Sequence, residues 1–221
     1  MYKYVIMGIQ GCGKGTQAKL LAKDFNLVHI SVGDIFRWHI QSHTKLAARI
    51  GRATAAGELV SDDIVEEIVR GRLDQHDWNY GFILDGFPRN RRQAEFFLES
   101  YDIDSVIQIE VADQVVMDRV MNRRLCSKCG LDYNLIFHRP TNPTVCDVCG
   151  GALLIRADDN HDAVKARLND YHTKTRPILE LFSRKELIIS VDGANPPAMV
   201  YQELLEKLGL QPPVALKKLA S

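Results

Sequence analysis

The stretch Tyr4-Val5-Ile6-Met7-Gly8-Ile9-Gln10-Gly11-Cys12-Gly13-Lys14-Gly15-Thr16 decides how the rest of the chain is read. An apolar run ends at Gly8, a glycine-rich turn follows, and Lys14 opens a helical pattern through Ala18, Leu20, Leu21 and Phe25. Strand, glycine loop and helix start, in that order, make a cradle for phosphate. The glycines let the backbone turn tightly and aim its N–H groups at an anion. The helix N-terminus adds unpaired amides and the positive end of its dipole. Lys14 is placed to reach β- and γ-phosphates, and the Thr16 hydroxyl lies where a Mg2+ ligand belongs. The G-x-x-x-x-G-K-[ST] spelling is met as far as Lys14; Gly15 then takes the Ser/Thr position and Thr16 comes one residue later. An ordinary glycine turn is the alternative, and the flanking strand and helix argue against it.

Short apolar runs at 4–8, 28–31, 82–85, 106–111 and 187–191 read as strands. They are nearly continuous in apolar character, as in a parallel sheet covered on both faces. Helical patterns lie between them, so the expectation is a doubly wound α/β fold. Residues 32–75 are too many for one crossover and should hold several helices, two of them separated by Gly57 and a Ser61-Asp62-Asp63 cap. Pro177 should divide the helical pattern after His161. A second insert, about 125–160, is rich in Cys, Pro, Asn and Gly and lacks a helical period. The tail from Gln211, with Pro212-Pro213, is expected to fray.

At 221 residues, 46% hydrophobic and 25% charged, the chain suits one sizeable soluble domain with or without inserts. Lys plus Arg (28) equals Asp plus Glu (28), so no global field recruits nucleic acid or an acidic membrane. Any anion site has to come from local clustering. No apolar run reaches the length of a membrane span. The first strand starts too close to Met1 for a signal peptide, so the expected location is the cytoplasm. There, disulfides are rare and the five cysteines need another explanation.

Arg37, on the first turns of the helix after Ser31-Val32-Gly33-Asp34, is placed to clamp a phosphate with its bidentate fork. A solvated surface role is its alternative, and is preferred for Arg49, Arg52 and Arg70. The third strand runs into Asp85-Gly86-Phe87-Pro88-Arg89. Ligands of open α/β sheets gather at strand carboxyl ends, so Asp85 and Arg89 both stand at the working edge. Asp85 suits Mg2+ held through water, or else a helix cap. Cys126-Ser127-Lys128-Cys129 and Cys146-Asp147-Val148-Cys149 form two C-x-x-C knuckles separated by sixteen residues. Four thiolates so spaced read as a closed structural Zn2+ site; two disulfides are the rival, weakened by a cytoplasmic location. Cys12 reads as a small loop residue rather than a nucleophile. His138 is the only runner-up ligand. Arg119, Arg123, Arg124, Arg156 and Arg167 bracket the insert, and like charges so gathered would repel unless something anionic lay between them. Arg119 and Arg123, four apart, are expected on one helix face.

Taken in order, Gly8-to-Thr16, Ser31-to-Arg37, Ala56-Gly57-Glu58-Leu59-Val60, Gly81-to-Arg89 with Gln93, and Arg123-Arg124 resemble adenylate kinase. The likeness spans nearly the whole chain except the tail, and the cysteine insert is similar to the long, zinc-binding form of that family's lid. It implies a P-loop, nucleoside-monophosphate-kinase-like, doubly wound parallel sheet of five strands with helices on both faces. The implied division is a core at 1–31, 62–124 and 161–210, a monophosphate-binding insert at 32–61, a zinc lid at 125–160, and a tail at 211–221. The implied reaction is Mg2+-dependent transfer from ATP to AMP, giving two ADP. ATP falls to Gly11, Cys12, Gly13, Lys14, Gly15, Thr16, Arg119 and Arg123, with Arg119 packed on the donor base. AMP falls to Val32, Arg37, Glu58, Leu59, Val60, Gly86, Arg89, Gln93, Arg156 and Arg167. Lys14, Arg89, Arg123, Arg156 and Arg167 are the implied catalytic groups, with Asp158 and Asp159 holding arginines in position. A monomer is expected.

Several positions depart from the family's pattern. Gln10 replaces a usual proline, which should soften the loop. Val32 replaces a threonine of the acceptor-base pocket; one lost neutral hydrogen bond is worth about threefold to tenfold in affinity. That leaves kinases for UMP, CMP or GMP open as alternatives. Asn90-Arg91-Arg92 and Ala157 also differ. A GTPase-type switch lacks its N-K-x-D signature here. A zinc-ribbon nucleic-acid module would need a basic face with exposed aromatics.

Overall fold

The structure, a computed structural model, describes residues 1–156, 158–185 and 187–211. Ala157 and nearly all of the tail lie outside the described residues. Five parallel strands form the main sheet: β1 (Lys3–Gly8), β2 (Leu27–Ser31), β3 (Gly81–Asp85), β4 (Ser105–Glu110) and a late strand, Ile188–Asp192. Between β4 and the late strand come three short lid strands, β5 (Arg123–Cys126), β6 (Asp132–Asn134) and β7 (Leu153–Leu154), which makes the late strand β8. The order across the main sheet is β2-β3-β1-β4-β8, so β1 is central and feeds the glycine loop.

Alternate residues of β1 pack to opposite sides. Val5 and Met7 join one apolar cluster with Phe82 and Leu84, while Tyr4 and Ile6 join another with Ile83 and Ile107. The first cluster is closed by α2 (Val32–Gln41), α3 (Ala47–Ala56), α4 (Asp62–Asp74), α5 (Arg91–Ser100) and α8 (Leu179–Ser183). The second is closed by α1 (Lys14–Asp24), α6 (Asp113–Met121), α7 (His161–Asp170) and α9 (Pro197–Lys207). Burial on both faces explains the continuous apolar runs in the sequence. The doubly wound sheet is therefore present, with every expected strand within about a residue of its expected bounds.

Three helices fill residues 32–75. Gly57 caps α3 in a left-handed conformation (φ 77°), and Ser61 takes the N-cap position of α4 without a side-chain capping bond. After α7 the chain makes a π turn (Tyr171–Thr175) and a 3-10 turn (Arg176–Ile178), so Pro177 does divide the helical run. The helix-face pairing expected for Arg119 and Arg123 does not occur. α6 stops at Met121, Asn122 caps it, and Arg123 already belongs to β5 of the lid's antiparallel sheet, ordered β6-β5-β7.

Candidate active site

The loop after β1 carries Gly8, Gly11 and Gly13 at positive φ (145°, 85° and 105°), and α1 begins at Lys14 with Gly13 as its N-cap. At Gly8 the requirement is also steric, since a Cβ there would stand 2.5 Å from the Ile109 carbonyl oxygen. Lys14 reaches back across the loop, its Nζ donating to the Gly8 and Ile9 carbonyls at 2.8 Å each. Cys12 is buried, and burial pushes its thiol up, consistent with a packing role. Thr16 is exposed at the helix start. Register brings Ser31 of β2 level with Asp85 of β3, and a Cβ on Gly15 would lie 3.6 Å from Asp85 Oδ2. His29 Nε2 is buried 3.6 Å from that carboxylate and has no hydrogen-bond partner among the described residues. A carboxylate beside a buried ring nitrogen that lacks a hydrogen bond fits Mg2+ held mostly through its waters.

Guanidinium groups from distant parts of the chain come close to one another, and Arg167 and the Asp159 that holds Arg123 touch the loop through Gln10. Arg37 on α2 pairs with Asp34, whose carboxyl burial would raise but Arg37 holds below the usual range. Arg89 donates from Nε to the Gly86 carbonyl at 2.9 Å. Burial and then the neighbouring Arg167 lower its pKa, with Arg37 adding to the repulsion. Arg156 is lowered in the same way, by burial and then by Arg123, with Arg37 also contributing. Arg123 is nearly buried, yet its bonds to Asp159 outweigh burial and raise its pKa. Arg167 pairs with Asp158 at 2.7 Å and donates to the Thr54 carbonyl at 3.0 Å. Arg156 pairs with Asp132. Carboxylates of the chain itself thus relieve the repulsion that the sequence suggested only a bound anion would relieve. Arg124 instead donates to the Met121 and Arg123 carbonyls. Arg119 is separate from these guanidiniums but reaches the loop directly, donating to the Cys12 carbonyl at 3.4 Å and to the Gly193 and Ala194 carbonyls at 2.7 and 3.1 Å.

On the acceptor side, Val32 is buried in the core cluster at the start of α2. Gln93 is 1% exposed; its Oε1 accepts from the Arg89 backbone N–H at 2.8 Å, and its Nε2 donates to Asp62 at 2.7 Å. Glu58 and Val60 border a cleft of ≈ 390 Å³ with Arg49 and Arg52, which Val32, Arg37, Gly86, Arg89 and Gln93 do not line. Leu59, between them, is partly buried.

In the lid, the Sγ atoms of Cys126, Cys129, Cys146 and Cys149 all lie within 4.8 Å of one another. The Cys126–Cys149 and Cys129–Cys146 separations are 3.4 and 3.7 Å. A tetrahedral zinc with Zn–S near 2.3 Å needs S···S edges of about 3.8 Å, so the four thiols fit the ion. A disulfide needs about 2.05 Å, and all five cysteines are free. The buried Tyr133 hydroxyl lies 3.5 Å from Cys146 Sγ and pulls that thiol down to about 6. His138 stacks on Tyr133, with 4.9 Å between ring centroids, and is not one of the clustered groups.

Comparison with known proteins gives the family. A model of the adenylate kinase family fits residues 6–187. The chain belongs to the adenylate kinase family. An adenylate kinase of Caldicellulosiruptor saccharolyticus is 39% identical over 214 residues, 95% of this chain and all of that protein. One from Bacillus subtilis is 42% identical over 210 residues, covering 93% and 97%. One from Methanocella arvoryzae is 41% identical over 196 residues, covering 86% and 91%. No helix among the described residues is long and apolar enough to cross a membrane.

Sequence reasoning missed several parts of this adenylate kinase site. Phe137 of the lid lies under Arg119, 5.3 Å from ring centroid to guanidinium carbon. Asp132 anchors Arg156, and Tyr133 serves the cysteine cluster. Asn90-Arg91-Arg92 acquires an explanation: Asn90 caps α5 and donates to Asp62, while Arg92 bridges Asp63 and Glu66 on α4. Gln10 does not soften the loop but ties it to Arg167 and Asp159. Apart from Asn90, whose place three residues before Gln93 is a local N-cap signal, none of these has a local motif that would have found it.

Proposed function

We propose that the chain catalyses reversible, Mg2+-dependent phosphoryl transfer from ATP to AMP, giving two ADP. The observation that carries this is the gathering of Arg37, Arg89, Arg123, Arg156 and Arg167 near one another, tied through Gln10 to the glycine loop, in a chain of that family. The donor phosphates lie on the amides of Gly11, Cys12, Gly13, Gly15 and Thr16, with Lys14 swinging from its carbonyls onto the terminal phosphates and Arg119 against the base. AMP lies toward Val32, Glu58, Leu59, Val60, Gly86 and Gln93, its phosphate gripped by Arg37 and Arg89. Mg2+, when bound through water at Asp85, offsets charge on the donor phosphates. An AMP phosphate oxygen attacks the γ-phosphorus in line, and the bond to the β–γ bridging oxygen breaks, leaving its charge on ADP. The attacking oxygen is already anionic near neutral pH, so no general base is needed. Lys14, Arg89, Arg123, Arg156 and Arg167 stabilise the moving phosphoryl group by position and charge.

The lid closes over both substrates and excludes water, which would otherwise hydrolyse ATP. Zn2+ on Cys126, Cys129, Cys146 and Cys149 is structural, because four thiolates leave no open position. The chain works as a monomer in the cytoplasm, with nucleotides as partners and no nucleic-acid or membrane role. The test is ATP consumption with AMP, UMP, CMP or GMP in turn. AMP should be the best acceptor, with Val32 narrowing its margin by about threefold to tenfold. Equal consumption with and without any monophosphate would overturn the proposal.

A further inference from the structure

Gln10 sits in the middle of the phosphate loop, and its side chain leaves the loop to join two ion pairs. Its Oε1 accepts a hydrogen bond from Arg167 Nη1, a contact spanning 157 residues of sequence. Its Nε2 donates to Asp159 Oδ1 at 3.4 Å. Each of those partners is engaged elsewhere. Arg167 pairs with Asp158 at 2.7 Å and donates to the Asp158 and Thr54 carbonyls at 3.3 and 3.0 Å. Asp159, its side chain fully buried, accepts from Arg123 Nε at 2.8 Å and again from Nη2. One neutral amide therefore links the Arg167–Asp158 pair to the Arg123–Asp159 pair and both to the loop. An amide suits this place, since it presents an acceptor to the cation and a donor to the carboxylate. A carboxylate would serve Arg167 but oppose Asp159. An apolar side chain would serve neither.

We propose that Gln10 is a positioning residue for phosphoryl transfer, fixing Arg167 and the Asp159-held Arg123 at a set spacing above the loop before nucleotide arrives. This rests on the reading of Arg123 and Arg167 as transfer groups. Backbone amides hold the donor phosphates, so losing the Gln10 side chain leaves nucleotide binding nearly intact. What changes is where the two guanidiniums wait, and misplacement by about 1 Å can cost about 100-fold in rate. Gln10→Ala should therefore lower kcat by about 10- to 100-fold while changing either KM by less than about twofold.

The deciding experiment is a double-mutant cycle in kcat with Gln10→Ala, Arg167→Ala and the pair, alongside thermal melts. Gln10→Met keeps the side chain's length without either hydrogen bond, and stands in if the alanine variant misfolds. If Gln10 acts through Arg167 as well as Arg123, its removal costs less once Arg167 is gone, and the two losses fail to multiply fully. Losses that multiply fully, a loss confined to KM, or an unchanged kcat in Gln10→Ala would each overturn the proposal. A normal kcat in Arg167→Ala would instead remove the transfer role itself and the proposal with it, an outcome recognisable from that single variant.

Discussion

Arg123 keeps its charge in a nearly buried place because Asp159 meets it with two hydrogen bonds. Removing such a group at the transfer stage should cost what an arginine finger supplies, about 10³–10⁵ in kcat. Arg123→Ala is expected to fall in that range with nucleotide affinity kept, as read by steady-state kinetics and equilibrium titration. Because alanine would strand the fully buried Asp159 carboxylate, Arg123→Lys is the companion variant, restoring charge without the fork. Near-normal turnover in both would dismiss the assigned role. Asp158 gives a pH-dependent counterpart. Burial alone would raise its carboxyl, yet Arg167 holds it below the usual range. A carboxyl depressed on folding contributes fully above its unfolded value and loses that contribution as pH falls through the folded one. Asp158→Asn should thus lower the urea midpoint at neutral pH, and the gap to the parent chain should close below about pH 4. A gap independent of pH would refute that pairing. The sequence revealed Arg89 and Lys14 because each stands inside a local motif. It hid Gln10 and Asp132, whose partners lie far away along the chain and are set only by folding.

Among the described residues, the lid's apolar cluster consists of Cys126, Tyr133, Cys146 and Leu153, with Leu131 packed alongside. So few apolar groups cannot offset the entropy of ordering a segment this long. Structural zinc, when bound, supplies about 10–16 kcal/mol, so under the proposed reading metal decides whether the element is folded. A strong chelator should make the lid protease-sensitive and abolish transfer, while the sheet domain keeps its melting transition. Tyr133 tests the support around the metal, since its hydroxyl both approaches Cys146 Sγ and accepts from the Asp147 N–H at 3.0 Å. Loss of such a partner usually weakens a metal site by about 10- to 100-fold, so Tyr133→Phe should release zinc that much more readily in a competition with a chromophoric chelator. Unchanged retention would make Tyr133 a packing residue only. The knuckles were legible because metal chemistry fixes their spacing. The strands between them were not, since β5, β6 and β7 have four, three and two residues and show no period. Conversely, the five core strands were legible because burial on both faces leaves an apolar run that needs no partner to recognise.

Across the molecule, the two segments flanking the loop meet at α7. From one side come the Thr54 carbonyl on Arg167 and the close approach of Gly57 to Ala163. From the other comes Arg123 on Asp159. Asp159 just before α7 takes Arg123, while Arg167 on α7 takes the Thr54 carbonyl, so the helix and its start contact both segments. Gly57 is where this arrangement is most exposed to a single change. It stands at φ 77°, and a Cβ there would come within 2.5 Å of the Ala163 carbonyl oxygen and 2.8 Å of Ala163 Cα. Backbone cannot yield as a flexible side chain would, so alanine pushes α3 off α7 and carries the Thr54 carbonyl away from Arg167. The left-handed conformation adds about 1–2 kcal/mol of strain. Gly57→Ala should therefore lower the melting temperature, reduce transfer to AMP, and raise the share of ATP lost to water when AMP is present. Zinc content should stay unchanged, because the lid's own core is untouched. A variant that melts lower yet partitions ATP between AMP and water as the parent does would separate stability from alignment, and α7 would then be a strut rather than the place where the two substrates' segments are brought into register.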